Sequence, residues 1–245
     1  MVDPGHLDAF LDAQLSSILY EPFHVFYPYN GDPPDLLKLH KKVHSLASQS
    51  GRASQKGASV WDWYYLLVVE GYSLALYAES QSDAKAAGDA VSDFAALFHV
   101  MQVDPLDLNA RQKVPWQFLH AYRDALKIAA EVSGELAQLQ AYAEFSRGEV
   151  EKEESKPRYS PTAKADLYTD LGHALVLLHH KQGHKDDLCG GIANLQRAVA
   201  LLEQAGRKLR RDTPDPGHHA LDESPAYVEL SELVKKRSAA TCSKQ

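Results

Sequence analysis

Cysteine is scarce in this chain, basic charge is in deficit, and no stretch stays apolar for long. The two cysteines, Cys189 and Cys242, are too few for a disulfide framework, so the composition points to a reducing compartment. No run approaches the roughly 20 apolar residues that span a bilayer. The opening MVDPGHLDAFLDAQL lacks a cationic segment, an apolar core and a small-residue cleavage site, and Val2 stands where myristoylation needs glycine. A cytoplasmic protein without a transmembrane segment is expected. A formal charge of -7 and a pI near 5.9 give no general attraction to phosphate backbones, and no broad basic face is visible, so nucleic acid is not an expected partner.

Catalytic signatures are missing as well. There is no G-x-S-x-G elbow, no Walker loop, no G-x-G-x-x-G, no H-E-x-x-H and no C-x-x-C. The expectation is therefore a non-enzyme with no cofactor, and a small-molecule enzyme of an unrecognised all-helical type is an alternative.

What the chain does contain is helical periodicity. Leu188, Ile192, Leu195, Val199 and Leu202 step by four and three, with Asp186 and Asp187 at the amino end and Arg207, Lys208 and Arg210 near the other, as the helix dipole favours. Before them, Ser160 and Pro161 read as a cap and first turn for Ala163, Leu167, Leu171, Ala174 and Leu178. These two helices make a hairpin. Residues 61–80 are apolar around most of a helix, and Ala87, Val91, Phe94, Ala95, Phe98 and Met101 form the next stripe. Pro105 breaks the pattern and Pro115 restarts it through Trp116, Leu119, Tyr122, Ala125, Leu126 and Ala129, after which Ser133 opens a continuation to Val150. The mixed-charge run 149–156 reads as a solvated helix end.

The fold class is thus all-α: about 7–8 helices packed as antiparallel hairpins in an elongated scaffold. Residues 1–58 hold two short helices, an aromatic and proline-rich strap and a polar loop; 59–211 form the hairpin core; 212–245 are a linker, a last helix near 226–237 and a frayed tail. One domain is expected overall.

Two clusters invite a chemical reading. LGHALVLLHHKQGHKDDLCGG, 171–191, places His180 and His184 four apart with Cys189 close behind, a spacing that suits a metal. Gly183 lies between them and is more comfortable beyond a helix end. The histidines are then read as capping groups at a hairpin bend, with KQGHKDDLCGG as its turn and the metal as the alternative. Tyr122, Arg123 and Lys127 place a phenol and two cations within about one helical turn, a candidate clamp for a partner's phosphate or carboxylate. The plainer reading pairs those cations with Asp124 and Glu131.

Three resemblances follow. Residues 168–205 resemble a tetratricopeptide hairpin through Leu171-Gly172, Leu175 and Ala198. The order of Ser59-Val60-Trp61-Asp62, 72–80 and AVSDFAALFHVM at 90–101, followed by 174–198 with Ile192, Leu195 and Ala198, is similar to the Bro-type domain of ALIX-like proteins. That likeness implies a scaffold near ESCRT-type assemblies and an indirect membrane association. Lys113-Val114, Tyr122-Arg123 and Ala129-Ala130 are similar to part of the 14-3-3 family, which implies a phosphopeptide-binding adaptor as the alternative. The expected function is a protein interaction scaffold, alone or as a subunit of a larger assembly, whose apolar groove receives a partner peptide or amphipathic helix.

Overall fold

Local chemistry decides where each helix starts and stops. In the computed structural model, which describes residues 37, 40, 41, 44, 45, 60–107, 109–157, 159–212 and 225–235, the long elements are all helical. They are α1 (Val60–Gln81), α2 (Ala84–Val100), α3 (Trp116–Ser133), α4 (Leu136–Ser155), α5 (Pro161–Gln182), α6 (Lys185–Asp212) and α7 (Pro225–Lys235). The strap, the polar loop and the first helix expected from Leu7 to Leu15 lie outside the described residues.

Three hairpins, α1–α2, α3–α4 and α5–α6, share one turn design. Each link is two residues long and begins with a left-handed residue: Ser82 (φ 51°), Gly134 (φ 59°) and Gly183 (φ 76°). A left-handed residue just past a helix satisfies an orphan carbonyl, and the Gly134 and Gly183 amides donate to Ala130 and His179. The next helix then starts at once. Asp83 caps α2 by accepting from the Ala86 amide at 3.0 Å, and Ser160 caps α5 by accepting from Ala163 at 3.2 Å, with Pro161 in the first turn as expected.

The hairpins stack so that α1 packs on α3, α3 on α5 and α5 on α7. The odd-numbered helices therefore form a row, with α2, α4 and α6 beside their hairpin partners. No helix among the described residues is long and apolar enough to cross a membrane.

The interior is closed in two ways. Around the first two hairpins the core is aromatic: Tyr122 sits against Phe94, Phe98 and Phe145, with ring centroids 5.7, 5.0 and 5.3 Å apart. In the third hairpin a smaller aliphatic cluster joins Val176, Leu188, Ile192, Leu195 and Ala198 to Ala226 and Leu233 of α7. There the backbones meet. A Cβ on Gly172 would lie 2.8 Å from Leu195 Cγ and 3.0 Å from the Gly191 carbonyl oxygen, and one on Gly191 would lie 2.8 Å from Val176 Cγ2.

Several expectations are corrected. KQGHKDDLCGG is not a turn: only Gly183 and His184 link the helices, and Gly190-Gly191 are helical because α5 crosses there. Ser133 ends a helix rather than opening one, since Gly134 turns the chain immediately after it. In the α2 stripe Leu97 is buried and Ala95 exposed. The acidic run is only partly solvated. Glu149 is buried 2.8 Å from Arg111, whose guanidinium lies 4.1 Å from the Phe145 ring centroid and whose Nε donates to the Pro105 carbonyl. Glu153, also buried, pairs with Lys164 at 3.0 Å. Cys189 is disulfide-bonded, and Cys242 lies outside the described residues.

Candidate functional site

The row of odd-numbered helices carries a polar seam. On α3, His120, Arg123, Asp124, Lys127 and Glu131 recur at helical spacing, so they share a face. That face meets α1 on one side and α5 on the other. Arg123 Nη2 lies 3.2 Å from Asp124, and its Nε lies 3.2 Å from Asp170 of α5. Asp170 also accepts from the Tyr142 hydroxyl of α4 at 3.1 Å, and Asp124 from the Tyr72 hydroxyl of α1 at 3.5 Å, a long contact.

A few residues along, His173 bridges three helices. Its Nδ1 is 3.0 Å from the Glu229 carboxylate of α7, a hydrogen bond. Its Nε2 is 2.9 Å from Glu131 of α3, close enough for an ion pair but outside hydrogen-bond geometry.

The charges on this seam are unbalanced. Glu79, Asp124, Glu131, Asp166, Asp170 and Glu229 face Arg123, Lys127 and His173. Desolvation pushes the Glu79 carboxyl up, and the charge of Glu131 adds to it. The Asp166 carboxyl is raised by desolvation and then by Asp170. Even Asp124, beside Arg123, is raised, because desolvation and Asp170 outweigh the cation. Burial works against the Arg123 charge, but Asp170 and then Asp124 reverse that and hold it firmly protonated. His120 is pushed down to about 4, first by burial and then by Arg123, so it is neutral at pH 7. His173 goes the other way: desolvation lowers it, but Glu131 and Glu229 prevail and raise it to about 9.

The structure splits the Tyr122, Arg123 and Lys127 cluster. Tyr122 turns into the aromatic core and its hydroxyl pKa is raised chiefly by burial, whereas Arg123 and Lys127 lie on the seam. Consecutive helical residues point about 100° apart, so a neighbour in sequence is not a neighbour on the surface. Arg123 is also already held by two carboxylates.

The His180, His184 and Cys189 set is not brought together as a ligand set. Gly183 turns the chain between the two histidines, His179 Nδ1 lies 2.8 Å from the His184 carbonyl oxygen, His184 Nδ1 is 3.6 Å from Asp187, and Cys189 is in its disulfide. Among the described residues, the side chains that come within reach of one ion are His40, Glu70 and Asp93, which sequence spacing did not single out.

Comparison with known proteins gives no relative: no family model, no curated protein and no solved structure matches the chain.

Proposed function

We propose that the chain is a non-catalytic interaction scaffold of helical hairpins, and that the seam along α1, α3 and α5 receives a partner segment bearing lysine or arginine. The observation that carries this reading is the excess of carboxylates over cations along one continuous row of helices. Carboxylates crowded with too few cations bear a cost that a cationic ligand removes, so the free energy of their mutual repulsion favours binding. The stacked hairpins with equal turns also support the scaffold reading and accord with a tetratricopeptide-like row. The groove is then more polar than periodicity alone implied. A phosphopeptide clamp is the weaker reading, because Arg123 already has Asp124 and Asp170 as partners.

The test is fluorescence anisotropy with three labelled peptides of equal length: lysine-rich, glutamate-rich and phosphoserine-bearing. The lysine-rich peptide should bind, more weakly as salt rises. Replacing the exposed Glu79 and Asp166 by Gln and Asn should weaken it by about fivefold or more, roughly 1 kcal/mol, while the exposed Glu151→Gln control should not. Binding of the phosphoserine peptide alone, lost in Arg123→Ala, would replace this reading with the adaptor. The site of action we propose is cytoplasmic, where the Cys189 disulfide is held reduced, and alkylation of native extract followed by mass spectrometry reads the state of that cysteine directly.

A further inference from the structure

Away from the seam, on the far side of α1, three separate segments bring one imidazole and two carboxylates together. His40 and His44 are helical residues four apart, so they share a face. Glu70 stands on α1 and Asp93 on α2. One donor atom from each of His40, Glu70 and Asp93 lies within 4.8 Å of the others. Donors on a tetrahedral ion with bonds near 2.1 Å are about 3.4 Å apart, so small side-chain adjustments close the set.

The surroundings fit a metal better than a simple ion pair. Glu70 is buried, at 5% exposure, and a buried carboxylate needs a counter-charge. Asp93 faces it from α2, half-buried, which puts two carboxylates in one low-dielectric corner. His40 Nδ1 lies 3.2 Å from the Glu70 carbonyl oxygen. A carbonyl only accepts, so Nδ1 carries the proton in this contact, which leaves Nε2 as the nitrogen able to offer a lone pair to an ion, the arrangement that ligating histidines adopt. His44 Nδ1 lies 2.5 Å from Glu70 Oε1 and steadies that carboxylate from outside, an outer-shell role metal carboxylates commonly require.

We propose that His40, Glu70 and Asp93 bind one divalent transition-metal ion of the zinc type, with His44 as the outer partner of Glu70. A nitrogen and oxygen set of this kind suits Zn²⁺ and its first-row neighbours, whereas Ca²⁺ and Mg²⁺ favour all-oxygen sites. Three protein ligands leave a coordination position for water or for a side chain of a partner.

The experiment is a titration of the full chain, stripped with chelator and desalted, with ZnCl₂ by calorimetry, repeated by thermal shift and by Co²⁺ absorption. One equivalent should bind with a micromolar or tighter Kd and raise the melting temperature, and Co²⁺ should show visible bands of a nitrogen and oxygen site. His40→Ala and Asp93→Asn should each weaken binding by about 100-fold or more, and His44→Ala by about tenfold. Circular dichroism of each variant checks that it is folded, so that a misfolded Glu70 variant does not decide the matter. The double variant His180→Ala with His184→Ala should bind as wild type does. Binding unchanged in both His40→Ala and Asp93→Asn, binding lost in the His180 and His184 double variant, or no binding at 100-fold the expected Kd would each overturn the proposal.

Discussion

Around the first two hairpins the helices are held apart by rings, whereas in the third they are drawn together by the absence of side chains. Phe94, Phe98, Tyr122 and Phe145 fill a broad space with large rigid groups. At the α5–α6 crossing, Gly172 and Gly191 bring backbone against backbone, and Leu195 and Val176 close over them. The two regions should respond to substitution in opposite senses. The aromatic core suffers when volume is removed, and the glycine crossing suffers when volume is added.

The largest effect that tests this contrast is Phe98→Ala, which should cost about 3–5 kcal/mol in chemical denaturation because the ring is fully buried and its neighbours cannot collapse onto the void. A loss below about 1 kcal/mol would show the aromatic packing to be loose. Next comes Gly191→Ala, expected to cost about 1–3 kcal/mol, since the new methyl meets Val176 and the backbone of α5. Gly88→Ala on α2 sharpens it: nothing lies within 4 Å of a Cβ there, so the same substitution should stabilise by about 0.5–1 kcal/mol. If both glycine variants moved stability the same way, the close crossing would not be the reason for Gly191.

A smaller effect comes from the α7 contact. His173 has its folded pKa raised to about 9, so its stabilising contribution is fully present below about 6.5 and is lost as pH rises through 9. Melting temperature measured from pH 6 to 10 should fall across that window in wild type. His173→Gln should flatten that fall, and an equal fall in both proteins would assign the pH dependence elsewhere. The partly exposed ion pairs are worth roughly 1 kcal/mol at most. Smallest is Ser82→Gly, which relieves a left-handed residue in the first hairpin turn and should raise stability by about 0.5 kcal/mol. Thermal unfolding of the two proteins side by side resolves it, and a decrease would mean that the Ser82 side chain contributes more than its backbone strain costs.

How much of this was legible in the sequence follows from how local the signal is. Ser160, Pro161 and Gly183 act on their own backbone, so the α5 boundaries could be read residue by residue. The stripe Leu188, Ile192 and Leu195 depends only on helix geometry and stands in the core as expected. The candidate sites depend on partners that no local pattern encodes. The pairing of Arg123 with Asp124 is local and could be read from the sequence, but its other partner, Asp170, belongs to the following hairpin and could not. Arg111 carries no local signal in the sequence, and only the fold places Glu149 against it. His40, Glu70 and Asp93 come from three helical segments, so their meeting is a property of tertiary packing. Conversely, the dense histidines of 171–191 drew attention because they were close in sequence, and a single left-handed glycine separated two of them. Gly190-Gly191 misled in the same way, since glycine marks turns by its backbone freedom and close crossings by its small size.

The two-residue turns also govern how the chain reaches its fold. With Ser82, Gly134 and Gly183 reversing direction so sharply, each helix finds its main partner in the element just before or after it. Little chain has to be closed into loops before apolar contact begins to repay the lost entropy. A nascent hairpin can thus collapse while its neighbour is still unstructured, and each one completed offers a ready surface to the next. Partners further apart along the chain, such as Glu229 of α7 and His173, need a longer search. The order of assembly is written into turn length rather than into any one strong contact.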